Sequence, residues 1–338
     1  MAHNIMSDSR FYAHRTPAWH GLGHVSTEPL DAIAAADRAG ISALKTFTTP
    51  LWIRGHSGLV QAKGFKALCG CLPGDHQGGA ITTNGETKTV FTYGVVSDQY
   101  EPIFHEKALT IWNDITGGAP VETVGLLGYG ETLFVTTQLP STAVANDKLH
   151  NYLMLMNPLD GLTSVRARTL TTRVVCANTL AMGLSEWTDH DFRATHYAGV
   201  ADKLATWLEC VWQAQSDTVR AIQEACNVLA LISCSPATLK DGVLSTVYPY
   251  PPKPEESKLL ETWVDFCARM ESHRSTVAHL FLNSPTRSPA TTGTLWGAYN
   301  AVVEYEDFAR TRTTARSRFL GSGKNRKEAA FTACISLV

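Results

Sequence analysis

At 338 residues the chain exceeds the roughly 100–150 residues of a typical domain, so two cores or one elaborated core are expected and a disulfide-stapled miniprotein is excluded. With 44% hydrophobic, 18% charged and 9% aromatic residues, it has enough apolar surface to offset ordering entropy, which excludes a mainly disordered polymer. Twenty-nine Lys and Arg against thirty-one Asp and Glu give a net charge of -2, so a nucleic-acid or membrane partner would have to be met by a local patch.

No run of about 18 apolar residues occurs, and Met1 to Arg10 is too polar for a secretory signal, so a cytoplasmic protein without a membrane partner is expected. Its eight scattered cysteines are then reduced thiols.

Residues 1–45 read as an aromatic and histidine-rich arm, Phe11 to His24, leading into a helix from Pro29 to Ala39 that Thr27 would cap. Residues 46–188 read as an α+β domain. Strands are expected at Thr49–Arg54, Thr87–Val96, Leu133–Gln138, Leu149–Met156 and Leu162–Arg168, with helices at Ile103–Asp114 and Val174–Leu184. Residues 189–338 read as a helical region with a basic C-terminal segment. Its parts are a long helix from Val200 to Ser233, a short one starting at Ser235-Pro236, a stiff Tyr248–Pro254 connector, and helices at Glu255–Leu282, Thr294–Phe308 and after Gly323. The fold class is therefore α+β, with a mostly antiparallel sheet and flanking helices in the N-terminal half and helices in the C-terminal half.

Between Arg310 and Lys327 stand Arg310, Arg312, Arg316, Arg318, Lys324, Arg326 and Lys327 with no acidic residue. Such a segment attracts phosphates through counterion release, and the interleaved Thr and Ser hydroxyls can donate to phosphate oxygens. A second cationic feature is Val165–Arg173, where strand alternation puts Arg166 and Arg168 on one face and Val165 and Ala167 on the other, with Arg173 at the strand end. The bland reading of both is ion pairing within the fold.

His14, His20 and His24, and Cys69-Gly-Cys71 with His76, are thin candidates for a metal site. Neither has the paired spacing that makes a zinc assignment strong, and a turn between strands accounts for Cys69-Gly-Cys71. Leu320-Gly-Ser-Gly-Lys324 is not a phosphate-binding loop, because Arg318 stands where the first Gly is needed and Asn325 where Ser or Thr is needed. No catalytic residue, metal or cofactor is assigned.

Six phrases in order carry a resemblance: Pro17–Gly23, Thr49–Arg54, Tyr93–Ile103, Arg173–Leu180, and Gly293–Tyr305 before Phe319–Gly323. With them the chain resembles the phage/plasmid-like family known as domain of unknown function 932. The resemblance implies a mobile-element origin, action in the host-cell cytoplasm and a place among DNA-handling proteins.

On that setting the expected function is ATP-independent binding or annealing of single-stranded DNA in recombination or replication. Arg166, Arg168 and Arg173 would grip one backbone, Arg310 to Lys327 would add a second contact, and a homo-oligomeric ring or filament would extend the site. The alternative is a mobile-element protein that binds a host protein, anti-defence or regulatory, without nucleic acid. A metal-dependent hydrolase or nuclease resting on the three histidines is a minor third reading.

Overall fold

The computed structural model describes residues 6, 10–15, 23–56, 58–76, 80–83, 85–145, 147–173, 178–180, 192–256, 259–284, 289–310 and 322–338. Thirteen strands form two sheets among these residues. The larger is nine-stranded and uses β1 (Phe11–His14), β2 (His24–Ser26), β7 (Val121–Leu127), β8 (Thr132–Gln138), β9 (Thr142–Val144), β10 (Asp147–Pro158), β11 (Val165–Arg173), β12 (Asn178–Leu180) and β13 (Phe192–Ala194). Its order is β12-β11-β10-β8-β7-β1-β2, with β13 on β11 and β9 on β10, and every pairing is antiparallel except β1 with β2. The smaller sheet runs β3 (Lys45–Gly55), β4 (Gly58–Pro73), β6 (Glu86–Ser97), β5 (Ala80–Thr83), all antiparallel.

Helices α1 (Ala32–Arg38), α2 (His105–Thr116) and α3 (Val200–Gln213) cover one face of the large sheet. Alternation along the strands decides which residues they meet. Leu153 and Leu155 of β10 and Val165 and Ala167 of β11 join Ala108, Trp112, Leu204 and Leu208 in the first core, while Met154 and Met156 point to the opposite face with Phe11 and Leu127. Trp112 is fully buried and its indole N–H donates to the Thr137 hydroxyl at 3.1 Å, so the ring brings no unsatisfied donor into the core.

A second core is built by α4 (Gln215–Leu231), the Leu239–Leu244 stretch that follows α5 (Pro236–Thr238), α6 (Ser245–Val247), α7 (Leu260–Asn283), α8 (Leu295–Glu304) and α9 (Ser322–Ile335), with Val144 and Leu149 from the sheet. At its centre is α8, where Leu295 to Val303 are all buried, as expected of a helix apolar on every side. Thr294 caps it by accepting from the Gly297 N–H at 3.1 Å, and a Cβ on Gly297 would lie 2.4 Å from the Thr291 carbonyl oxygen. Only glycine allows that approach. Two stretches are wound as π-helix, Leu239–Leu244 between α5 and α6, and Tyr305–Ala309 directly after α8.

The α+β class and the antiparallel sheet agree with the sequence reading; several local expectations do not. Asp31 rather than Thr27 caps the first helix, its Oδ1 accepting from the N–H groups of Ile33 and Ala34 at 2.9 and 2.8 Å. Asn178–Leu180 is strand β12, not helix; the flanking 174–177 and 181–191 lie outside the described residues. Cys69-Gly-Cys71 lies inside β4, with Cys69 opposite Thr92 and Cys71 opposite Val90 of β6, and is no turn. The long helix from Val200 breaks at Ala214, where α4 restarts the chain.

Among the described residues no helix is long and apolar enough to cross a membrane. Cys69, Cys71, Cys210, Cys234, Cys267 and Cys334 are free thiols.

Candidate nucleic-acid interface

The expected cationic residues fall into three groups. Arg312, Arg316 and Arg318 lie outside the described residues, as do the side chains of Arg173 at the end of β11 and Lys324 in α9. Arg166 is half-buried on β11, opposite Met156 of β10 and Arg193 of β13. The remaining four are already engaged by carboxylates.

Strand alternation puts Arg168 on the face opposite the first core, as read from the sequence, but that face is covered. Arg168 is only 3% exposed, and its guanidinium meets Glu328 of α9 at 3.3 Å, tying the helix to the sheet. One residue earlier, Lys327 is 0% exposed with its ammonium 2.9 Å from Asp307. Arg310 and Arg326 both reach Glu306, at 2.9 and 3.4 Å, and the Tyr248 hydroxyl donates to the same carboxylate at 2.9 Å.

The π-turn after α8 presents two consecutive acids, Glu306 and Asp307, to the interior, where several cations and a phenol compensate them. Burial and the adjacent Glu306 push the Tyr248 phenol upward, keeping it a donor. His273, which contacts the Tyr305 hydroxyl, is pushed down, first by burial and then by Arg310 and Arg326.

Four of the ten expected cations are therefore paired within the fold. Arg168 and Lys327 are out of solvent, and Arg310 and Arg326, each about a quarter exposed, share the buried Glu306 carboxylate. Removing one member of such a pair strands a charge in the interior at several kcal/mol, so these cations serve as internal clamps.

The thin metal candidates gain no support. His14 is buried in β1, His24 is exposed in β2, and His20 lies outside the described residues. Among the described residues no three His, Cys, Asp or Glu side chains are grouped to hold a metal ion.

A site that the dense-run reading missed lies in β3 and β4. No Asp or Glu occurs between Asp37 and Asp75, whereas Lys45, Arg54, Lys63 and Lys66 do. β4 pairs with β6 only from Phe65 onward, so Trp52–Gly55 and Gly58–Gln61 form a two-stranded ribbon beyond the rest of the sheet. Register shifts between Pro50 and Trp52 set this ribbon off from the base, and Gly58 at φ +128° closes its tip.

Cross-strand pairs put Trp52, Arg54, Leu59 and Gln61 on one face and Ile53 and Val60 on the other. Both faces meet solvent: Trp52 is 56% and Leu59 71% exposed, and Ile53, Val60 and Phe65 are exposed as well. Lys45 makes only a long surface contact with Glu106 at 4.0 Å, and Lys66 donates to the Asp98 carbonyl at 2.9 Å. Arg54 and Lys63 face no carboxylate among the described residues.

The family described as a domain of unknown function, DUF932, matches residues 92–330, more than half of the sequence. The chain belongs to the DUF932 family. The DUF932 match begins inside β6 and ends inside α9, spanning most of the large sheet, the helical core and the ionic network, with the ribbon just before it. No curated protein and no solved structure matches the chain.

Proposed function

We propose that this chain is a single-stranded DNA binding or annealing protein of a phage or plasmid, ATP-independent, acting in recombination or replication, and that its nucleic-acid face is the β3–β4 ribbon. The observation that carries the reading is the acid-free ribbon itself. Solvent-exposed Trp52 and Phe65 stand beside Arg54 and Lys63, which have no internal carboxylate to satisfy them. An aromatic ring exposed next to a cation offers a stacking surface for an unpaired base and a contact for its phosphate. In a duplex the base faces are already stacked, so the same ribbon would favour single strands. The mobile-element setting rests on the sequence resemblance.

The test is anisotropy of a labelled 30-nucleotide single strand at two salt concentrations. Binding that weakens with salt and with Trp52→Ala supports the reading; no binding at low salt removes it.

The host-protein alternative has one specific support, the outer edge of β3, which no strand pairs among the described residues and where Ile53 is exposed, to which a partner strand could add. A partner retained after nuclease treatment and lost on Ile53→Pro would favour it.

A further inference from the structure

One corner of the large sheet gathers reactive side chains far in the chain from the ribbon. Arg15 follows β1, Glu122 lies in β7, Gln138 ends β8, Ser141 stands in the connection between β8 and β9, and His150 lies in β10. The hydrogen bonds across them have a fixed direction. The Arg15 guanidinium can only donate, so the Gln138 atom it meets at 3.1 Å is the amide oxygen, and the amide nitrogen faces the other way. That nitrogen is 2.9 Å from His150 Nδ1 and 3.2 Å from Ser141 Oγ. Nδ1 is therefore an acceptor, and the Ser141 hydroxyl, 3.0 Å from the same nitrogen, donates to it. Burial, then Lys148 and Arg15, hold His150 below its ordinary pKa of 6.5, so the ring is unprotonated at pH 7.

The serine is held from both sides. The buried Asn151 amide donates to the Pro140 carbonyl at 2.8 Å and to the Thr142 hydroxyl at 3.3 Å, which pins the chain before and after Ser141 while Ser141 itself is exposed. Arg15 takes φ +65°, a left-handed conformation rare outside glycine, and strain of this kind collects where function needs a side chain in one place. Its guanidinium is anchored on Glu122 at 3.4 Å as well as on Gln138.

We propose that Ser141 is a nucleophile with His150 as its base, and that this corner cleaves small uncharged carboxylic esters. A serine hydroxyl donating to an unprotonated imidazole is the pair that acyl transfer requires. Ser141 Oγ forms a bond to the ester carbonyl carbon as its proton passes to His150 Nδ1. The bond to the leaving alcohol oxygen then breaks, and that oxygen takes the proton from Nδ1. Water attacks the acyl-serine by the same route, which releases the carboxylic acid and restores Ser141. Glu122 offsets the charge of Arg15, so an anionic phosphodiester gains little from it. Lys148, exposed on the same strand face as His150, places a positive charge near the carbonyl oxygen as it becomes negative.

The experiment treats the full-length protein with a fluorophosphonate probe, maps the adduct by mass spectrometry, and follows hydrolysis of p-nitrophenyl acetate. The probe is expected on Ser141. Ser141→Ala should stay unlabelled with ester hydrolysis at background, and His150→Gln should be slower by about 100-fold or more in both reactions. The labelling rate should fall with a midpoint below pH 6.5 as His150 gains a proton in the field of Lys148, Arg15 and Glu122. An unlabelled Ser141, an ester rate that Ser141→Ala leaves unchanged, or a labelling rate that His150→Gln does not alter, with circular dichroism showing the variants folded, overturns the inference.

Discussion

Acid should unfold this protein through a histidine that the fold holds neutral. His105 opens α2 and is 3% exposed; its Nε2 donates to the Gly130 carbonyl at 2.7 Å, and its Nδ1 accepts from Asn157 at 3.3 Å. A proton on Nδ1 would oppose the Asn157 donor in a buried site, and burial lowers the pKa from 6.5 to about 4. His196 sits alongside, its Nδ1 accepting from the Ile103 N–H at 3.1 Å and its Nε2 donating to the Pro158 carbonyl at 2.7 Å, and burial lowers it too.

In the unfolded chain these rings titrate near 6.5, so between pH 6.5 and about 4 the unfolded state binds more protons and stability falls as pH falls. The lowering of His105 from 6.5 to about 4 corresponds to about 3 kcal/mol, lost across that window and levelling off below it. Urea denaturation at pH 7, 6, 5 and 4, with wild type and His105→Gln in parallel, measures it. The wild-type curve should drop by about 3 kcal/mol more than the variant's, because the variant has no proton to take up at that site. Parallel curves would refute the buried-neutral assignment.

Three further outcomes follow from the packing. Lys327→Met leaves Asp307 without the cation it faces and should cost about 3–5 kcal/mol in urea denaturation, while Lys327→Met with Asp307→Leu should recover most of it; an unchanged midpoint in the single variant would contradict the clamp. Gly297→Ala drives a methyl toward the Thr291 carbonyl and should lower stability by about 1–3 kcal/mol, read as a drop in Tm; an equal Tm would mean that the loop yields freely. Arg168→Leu should loosen α9 and lower Tm without changing the salt dependence of oligonucleotide binding, because the guanidinium is already occupied by Glu328. A changed slope would return Arg168 to the interface.

Much of the architecture was legible because the strands alternate and the long helices have apolar stripes: Val165 and Ala167 face the core while Arg166 and Arg168 face away, as the spacing requires. The β4 strand was not, because Gly58, Gly64 and Gly70 punctuate it like a loop and only pairing with β3 and β6 holds it extended. The helix expected at Val174–Leu184 gave way at Asn178–Leu180 to pairing with β11, a tertiary contact that local propensity does not contain.

Dense cationic runs drew attention to β11 and α9. Arg168 of β11 meets Glu328 of α9, while Arg326 and Lys327 of α9 meet Glu306 and Asp307, each about twenty residues earlier in the chain, and only the i,i+4 spacing of Glu306 and Arg310 hinted at it. The ribbon's charge is sparse, so it stands out as the absence of acid over a long stretch rather than as a cluster of base.

The central claim is that the ribbon, not the compensated network, meets nucleic acid. The most direct test is the slope of log Kd against log salt for a 30-nucleotide single strand, compared between wild type and Arg54→Ala/Lys63→Ala. The four cations of β3 and β4, Lys45, Arg54, Lys63 and Lys66, at about 0.7 per phosphate set an affinity slope no steeper than about −3 for wild type, shallower by about 1.4 in the double variant. Trp52→Ala, leaving the slope alone, should weaken binding by about 1–3 kcal/mol. A slope that Arg54 and Lys63 do not influence, with Trp52→Ala binding as wild type, would contradict the account.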